Sequence, residues 1–229
     1  MTALQVPPLL VITDRKQAAR PLLAVAQALL AGGCRWLSLR EPDLSREERV
    51  SLLQRLVRCG AAAGAAISVH ADLDAALTTG AAGVHLPRHG SIAAARASLG
   101  VRAAIGISAH DREEVRRAAE LGADYVTLSP IFATASKPGY GPTLGLAGLA
   151  ELAKTAAIPV YALGGIDATN AAQCRAAGAA GIAVMGAAMR ADDPETMIRG
   201  VIAAFAQALV AAPEGGHSSA TRGALSAGR

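Results

Sequence analysis

The stretch Leu121-Gly122-Ala123-Asp124-Tyr125-Val126-Thr127-Leu128 decides the fold. A charged, amphipathic run beginning at Asp111 ends at Leu121, and a glycine then stops it, as glycine does just past a helix C-terminus. A two-residue step leads into residues 125–128, an apolar run too short for a helix and composed like a strand buried on both faces. The same step recurs as Thr79-Gly80-Ala81-Ala82 and as Ala177-Gly178-Ala179-Ala180, each time ahead of another short apolar run.

Outward from that unit the pattern covers most of the chain. Strands are expected at 9–13, 36–39, 66–70, 83–86, 103–107, 125–128, 160–163 and 181–185. Helices are expected at 20–31, 45–63, 73–79, 91–98, 111–121, 146–154, 168–177 and 194–210. Ser45 with Glu48, and Asp111 with Glu114, have capping-box spacing at helix starts. Gly32-Gly33, Gly64, Gly80, Gly100, Gly122 and Gly178 mark helix ends. Eight β–α units in 229 residues fit a single (β/α)8 TIM barrel over residues 1–212. A doubly wound open sheet is the alternative, since local pattern does not show closure. The small, polar segment 213–229 reads as a disordered C-terminal tail.

Composition excludes several classes. The chain is 52% hydrophobic and 17% charged, enough to build a sizeable core. Aromatic content of 3% argues against a base-stacking nucleic-acid surface. The formal net charge of +4 is spread over arginines interleaved with acids, as in Arg112-Glu113-Glu114, and gives no nucleic-acid patch. The three cysteines have no CxxC spacing, so neither a disulfide framework nor a zinc knuckle is indicated. No membrane span and no leader is read, and a cytoplasmic protein is the default expectation. Self-association is left open.

In such a barrel the chemistry gathers at the C-terminal ends of the strands. Those ends offer Thr13-Asp14-Arg15, Arg40-Glu41, His70, His85, Ser108-Ala109-His110, a long loop from Ser129 to Pro142, Gly164-Gly165-Ile166 and Met185-Gly186-Ala187. Glycines after strands seven and eight allow close backbone approach, and Gly186 opens a short helical turn, the composition of a phosphate cradle. Service in tight turns is the bland alternative. Thr134, Ser136 and Lys137 place two hydroxyls and an ammonium in one loop, suited to an anion clamp or lid. Arg40 reads as an anion contact or as the partner of Glu41 or Asp14. His70, His85 and His110 are candidate acids or bases. His85 equally suits a hydrogen-bonded core position, and a three-imidazole metal site is the weaker reading, so no metal is assigned.

These strand ends, in this order, resemble the thiamin phosphate synthase and thiazole tautomerase (TenI) family of (β/α)8 barrels. The matching stretches are Val11-Ile12-Thr13-Asp14, Leu39-Arg40-Glu41, Gly83-Val84-His85-Leu86, Gly106-Ile107-Ser108-Ala109-His110, Gly122-Ala123-Asp124-Tyr125-Val126, Ser129-Pro130-Ile131-Phe132-Ala133-Thr134, Ala162-Leu163-Gly164-Gly165-Ile166 and 179–185. The resemblance covers residues 8–210. It implies thiamine biosynthesis and a small phosphate ester, a thiazole phosphate, as ligand. It places Arg40 and Ser108 at pyrophosphate, Thr134, Ser136 and Lys137 in a clamp, and Gly164, Gly165, Val184 and Gly186 in the thiazole-phosphate cradle.

Departures from the family pattern carry as much information. The family's synthases bear an Asn-Asp pair after strand three, the Asp a magnesium ligand; here it reads His70-Ala71. Their second ligand Asp is missing from Arg88-His89-Gly90, and their Arg-Glu-Lys reads Arg40-Glu41-Pro42. No tightly bound cofactor is therefore expected, and Mg2+ only with a pyrophosphate substrate. The tautomerase branch also lacks the magnesium pair, but Pro130 stands where its proton-transfer histidine falls. Three readings follow: a TenI-like thiazole phosphate tautomerase with a replacement histidine base, which is the leading expectation; a divergent thiamin phosphate synthase; and a catalytically silent phosphate-binding barrel.

Overall fold

The computed structural model describes residues 6–136, 139 and 141–207. Eight parallel strands close into a barrel in sequence order, with β1 paired to β8. They are β1 Leu9–Ile12, β2 Trp36–Leu39, β3 Ala66–His70, β4 Gly83–Leu86, β5 Ala104–Ala109, β6 Tyr125–Leu128, β7 Val160–Leu163 and β8 Gly181–Val184. Between and after them lie α1 Leu22–Ala31, α2 Arg46–Ala62, α3 Leu73–Thr79, α4 Ile92–Leu99, α5 Arg112–Glu120, α6 Gly145–Thr155, α7 Ala171–Ala176, α8 Gly186–Met189 and α9 Pro194–Gln207. Closure removes the open-sheet alternative. The tail expected from residue 213 lies outside the described residues. No helix among the described residues is long and apolar enough to cross a membrane.

Local chemistry accounts for the boundaries. Ser45 accepts from the Glu48 amide and Glu48 reaches back to the Ser45 amide, a complete capping box. Asp111 caps α5, but Glu114 turns to the His110 amide instead of closing the second half of the box. β5 runs two residues beyond the expected end, so Ser108 lies within the strand. α7 starts three residues late because Asp167 accepts from both the amide and the hydroxyl of Thr169, and Asn170 donates to the Gly165 carbonyl at 2.8 Å. These contacts spend residues 167–170 on a turn.

The barrel has two apolar layers. Outward-facing residues such as Val11, Leu37, Val69, Val84, Ile105, Val126 and Ile182 pack under the helices. Inside the barrel, Leu10, Ile12, Trp36, Tyr125, Tyr161 and Ala183 form a separate cluster. The Trp36 ring lies 4.8 Å from Tyr125 and 5.6 Å from Tyr161, both edge-on. Its indole N–H donates to Ser68 Oγ at 3.1 Å. Room for these rings comes from facing glycines: a Cβ on Gly106 would meet the Tyr125 ring at 2.0 Å, and one on Gly181 the Tyr161 ring at 2.3 Å. The three rings fill the N-terminal part of the barrel and leave its C-terminal mouth to polar side chains.

Candidate functional site

A cavity of about 850 Å3 opens at that mouth. Arg40, His70, His85, Ser108, His110, Thr134, Ser136, Gly164, Gly165, Val184 and Gly186 all line it. The structure thus brings together every candidate read from the sequence except Lys137, which lies outside the described residues.

The cradle side is built from β7, β8 and the β6–α6 loop. Gly165 has φ +63, the left-handed region that favours glycine. A Cβ there would meet the Ala133 carbonyl at 2.4 Å and Phe132 Cβ at 2.8 Å. Val184 ends β8, and Gly186 follows at the start of α8. A Cβ on Gly186 would fall 2.2 Å from Ser136 Oγ and 2.5 Å from Arg190 Nη1. Ser136 donates to Gln17 Oε1 at 3.0 Å, and Arg190 also contacts Gln17, so three loops meet over the cradle. Sequence reading missed Gln17 and Arg190, which belong to no motif. Gly186→Ala should displace the Arg190 and Ser136 side chains and weaken binding of inorganic phosphate about threefold to tenfold, read by calorimetry.

On the opposite side, the Arg40 guanidinium has no ion-pair partner among the described residues. Glu41, offered as its alternative partner, instead accepts the Arg15 amide at 3.0 and 3.1 Å through its two oxygens. Glu41 is 2% exposed, and burial raises its carboxyl above the ordinary value. It serves as an anchor for the β1–α1 loop. Arg49 reaches the mouth from α2 and binds Asp72 at 2.8 Å, while Arg88 pairs with Glu114.

The three histidines differ in state. His85 is 1% exposed, with Nδ1 3.1 Å from the Tyr125 hydroxyl and Nε2 3.1 Å from Ser108 Oγ and 3.3 Å from Thr127 Oγ1. Burial drives its pKa down to about 3, so the ring stays neutral. Of the two readings offered for His85, acid or base and hydrogen-bonded core position, its burial and the engagement of both ring nitrogens at the cavity wall match the second. His110 Nδ1 donates to the Ser129 carbonyl at 2.7 Å. The His70 ring lies 4.6 Å from the His85 ring. Among the described residues no group of three or more His, Cys, Asp or Glu side chains could hold a metal ion.

The buried His85 has a consequence for stability. Its folded pKa is depressed, so below the unfolded value of 6.5 the unfolded chain takes up a proton that the folded chain refuses. That contribution is present above the unfolded pKa and is lost as pH falls toward about 3. Between pH ~6.5 and ~5.5 the loss is about 1 kcal/mol. Chemical denaturation at the two pH values should show it in the wild type, and His85→Gln should reduce it.

The residues present do not fit a protein-held magnesium ion. Asp72, one residue past the expected position, caps α3 through the Ala75 amide at 2.8 Å and is paired with Arg49. A Cβ on Gly90 would lie 2.7 Å from Leu86 Cβ, so the turn has no room for a second carboxylate. Ala71 sits at φ 56, the one non-glycine with positive φ among the described residues. This conformation costs an alanine on the order of 1 kcal/mol. Ala71→Gly should therefore raise stability by about 0.5–1 kcal/mol in denaturant titration.

A closed parallel barrel whose C-terminal mouth gathers glycine turns after its last two strands and polar side chains is of the (β/α)8 class. A family model described as thiamine monophosphate synthase matches residues 9–188. A Geobacter sulfurreducens protein named "Putative thiamine-phosphate synthase" is 42% identical over 197 residues, covering 85% of this chain and 92% of that protein. The thiamine-phosphate synthase of Roseiflexus sp. is 39% identical over 201 residues, covering 87% and 85%. The solved thiamine phosphate pyrophosphorylase of Pyrococcus furiosus superposes with a TM-score of 0.79 at 29% identity, covering 88% of this chain and 96% of its own. The chain belongs to the thiamine monophosphate synthase family.

Proposed function

We propose that the protein is a divergent thiamine-phosphate synthase, joining a thiazole phosphate to a pyrimidine pyrophosphate with release of pyrophosphate. The leading expectation from sequence, a tautomerase, yields to this reading because the similar proteins carry the synthase name. The observation that carries it is the span of the cavity, about 850 Å3 from the Gly165–Gly186 cradle to Arg40 and Ser108. That is room for two ligands side by side. The cradle would hold the phosphate of one substrate. Arg40 and the Ser108 hydroxyl would meet the charge that grows on the departing pyrophosphate. Among the described residues, cavity carboxylates Glu41 and Asp72 are engaged by Arg15, Ala75 and Arg49, so neutralisation by other protein groups bears more of the load.

One observation favours the tautomerase as a second reading: His110 and His70 line the mouth, where the family resemblance puts Ala71 and Gly90 at the positions of the synthases' magnesium carboxylates. Purified thiazole phosphate and pyrimidine pyrophosphate, mixed with the protein with and without magnesium, separate the two. Thiamine phosphate as product supports the synthase. Isomerised thiazole phosphate alone supports the tautomerase. Binding without either product leaves a phosphate-binding barrel and rejects both.

A further inference from the structure

We propose that the Tyr125–His85 pair fixes the Ser108 hydroxyl as a one-way hydrogen-bond donor into the cavity, matched to a phosphoryl oxygen of the ligand. The inference deepens the synthase reading and rests on it for the ligand, but its geometry stands in the ligand-free protein.

The argument starts at the buried end. Tyr125 is 0% exposed, and burial holds its phenol well above the ordinary pKa, so it keeps its proton. Its hydroxyl has one polar neighbour among the described residues, His85 Nδ1 at 3.1 Å. A buried O–H left without an acceptor is costly, whereas an unused phenol lone pair costs little. The buried Thr127 hydroxyl, 3.3 Å from Nε2, competes for the single acceptor of a neutral imidazole; the phenol is the more acidic donor and the closer one, so Tyr125 donates and Nδ1 accepts. A neutral imidazole then carries its proton on Nε2. Burial keeps that ring neutral across the physiological range.

Nε2–H faces two hydroxyl oxygens, Ser108 Oγ at 3.1 Å and Thr127 Oγ1 at 3.3 Å. Thr127 is fully buried, while Ser108 is half-buried and lines the cavity. Ser108 Oγ accepts from His85, so its own hydrogen cannot point back along that line. It turns to the cavity. The ligand thus meets an oriented donor at Ser108, which favours an anionic oxygen and disfavours a donor group at the same spot. His85 touches no ligand in this scheme and acts as a positioning residue through Ser108.

The test uses the two amide isosteres and inorganic pyrophosphate as probe. Glutamine places an N–H where Nε2–H stood, and asparagine reaches only the Nδ1 position. His85→Gln should keep pyrophosphate affinity within about threefold of wild type, and His85→Asn should lose about tenfold. In a Ser108→Ala background the His85→Asn effect should vanish, because the two act through one contact. Nitrogen-15 NMR of the wild-type imidazoles should show His85 as the Nε2–H tautomer. An Nδ1–H tautomer, equal losses for Gln and Asn, or a His85→Asn loss that persists without Ser108 would each overturn the proposal. The NMR arm decides the relay even if the variants fold poorly. A wild type that shows Nε2–H yet ignores pyrophosphate would sink the synthase reading and the assigned ligand, with the buried relay intact.

Discussion

Gly165→Val should abolish anion binding at the end of β7, with affinity for a phosphate ester expected to fall by at least about a hundredfold. Two independent effects act at this position. The residue has φ +63, where an L side chain costs roughly 1–2 kcal/mol and a β-branched one more. The added Cβ would also overlap the Ala133 carbonyl at 2.4 Å and Phe132 Cβ at 2.8 Å. Relief requires either residues 132–133 or the Gly164-Gly165 turn to move, and both form the cradle wall. If two charge-assisted N–H contacts to phosphate are lost, at about 1.5–3 kcal/mol each, the hundredfold figure follows. Calorimetry with a thiazole phosphate, run beside thermal melting, checks it. Should the glycines serve only as turns, the variant would melt lower yet bind normally, and the cradle assignment would be withdrawn.

The parts of this molecule that sequence made legible are those governed by local rules. Strands buried on both faces are continuous apolar runs, and helices between them end at glycines, so all eight β–α units could be read from neighbouring residues. The place of Gly164-Gly165 and Gly186 at the cavity mouth was legible for the same reason, since they are local features placed by strand count. What stayed hidden depends on contacts across the barrel. In strands with two buried faces no polar alternation tells which side chains point inward. Nothing local therefore marked Trp36, Tyr125 and Tyr161 as one interior cluster, or Gly106 and Gly181 as the spaces they fill. His85 is the instructive case. Its position after Gly83-Val84 fits both a strand end open to chemistry and a hydrogen-bonded core site, and what decides between them is a tyrosine 40 residues away. Glu41 likewise looked like a partner for its neighbour Arg40, yet it binds a loop 26 residues upstream.

Trp36→Ala should be the most damaging single truncation of the barrel interior, costing about 3–5 kcal/mol and lowering the melting temperature by about 6–20 °C. The indole is 1% exposed, lies edge-on to both interior tyrosines, and donates to Ser68 Oγ. Rigid strands on all sides prevent the cavity from collapsing, which places the cost toward the upper end of the range for such deletions. The damage should also reach the mouth. Tyr125 loses the ring that props it, and Tyr125 in turn holds His85 beneath Ser108. Leu53→Ala is the control: Leu53 is equally buried, but on α2 outside the barrel, and should cost about 2–5 kcal/mol. With both variants held well below their melting temperatures, Trp36→Ala should weaken pyrophosphate binding and Leu53→Ala should leave it near wild type. Equal affinities in the two would mean that the interior rings support the fold alone, with the polar mouth arranged independently of them.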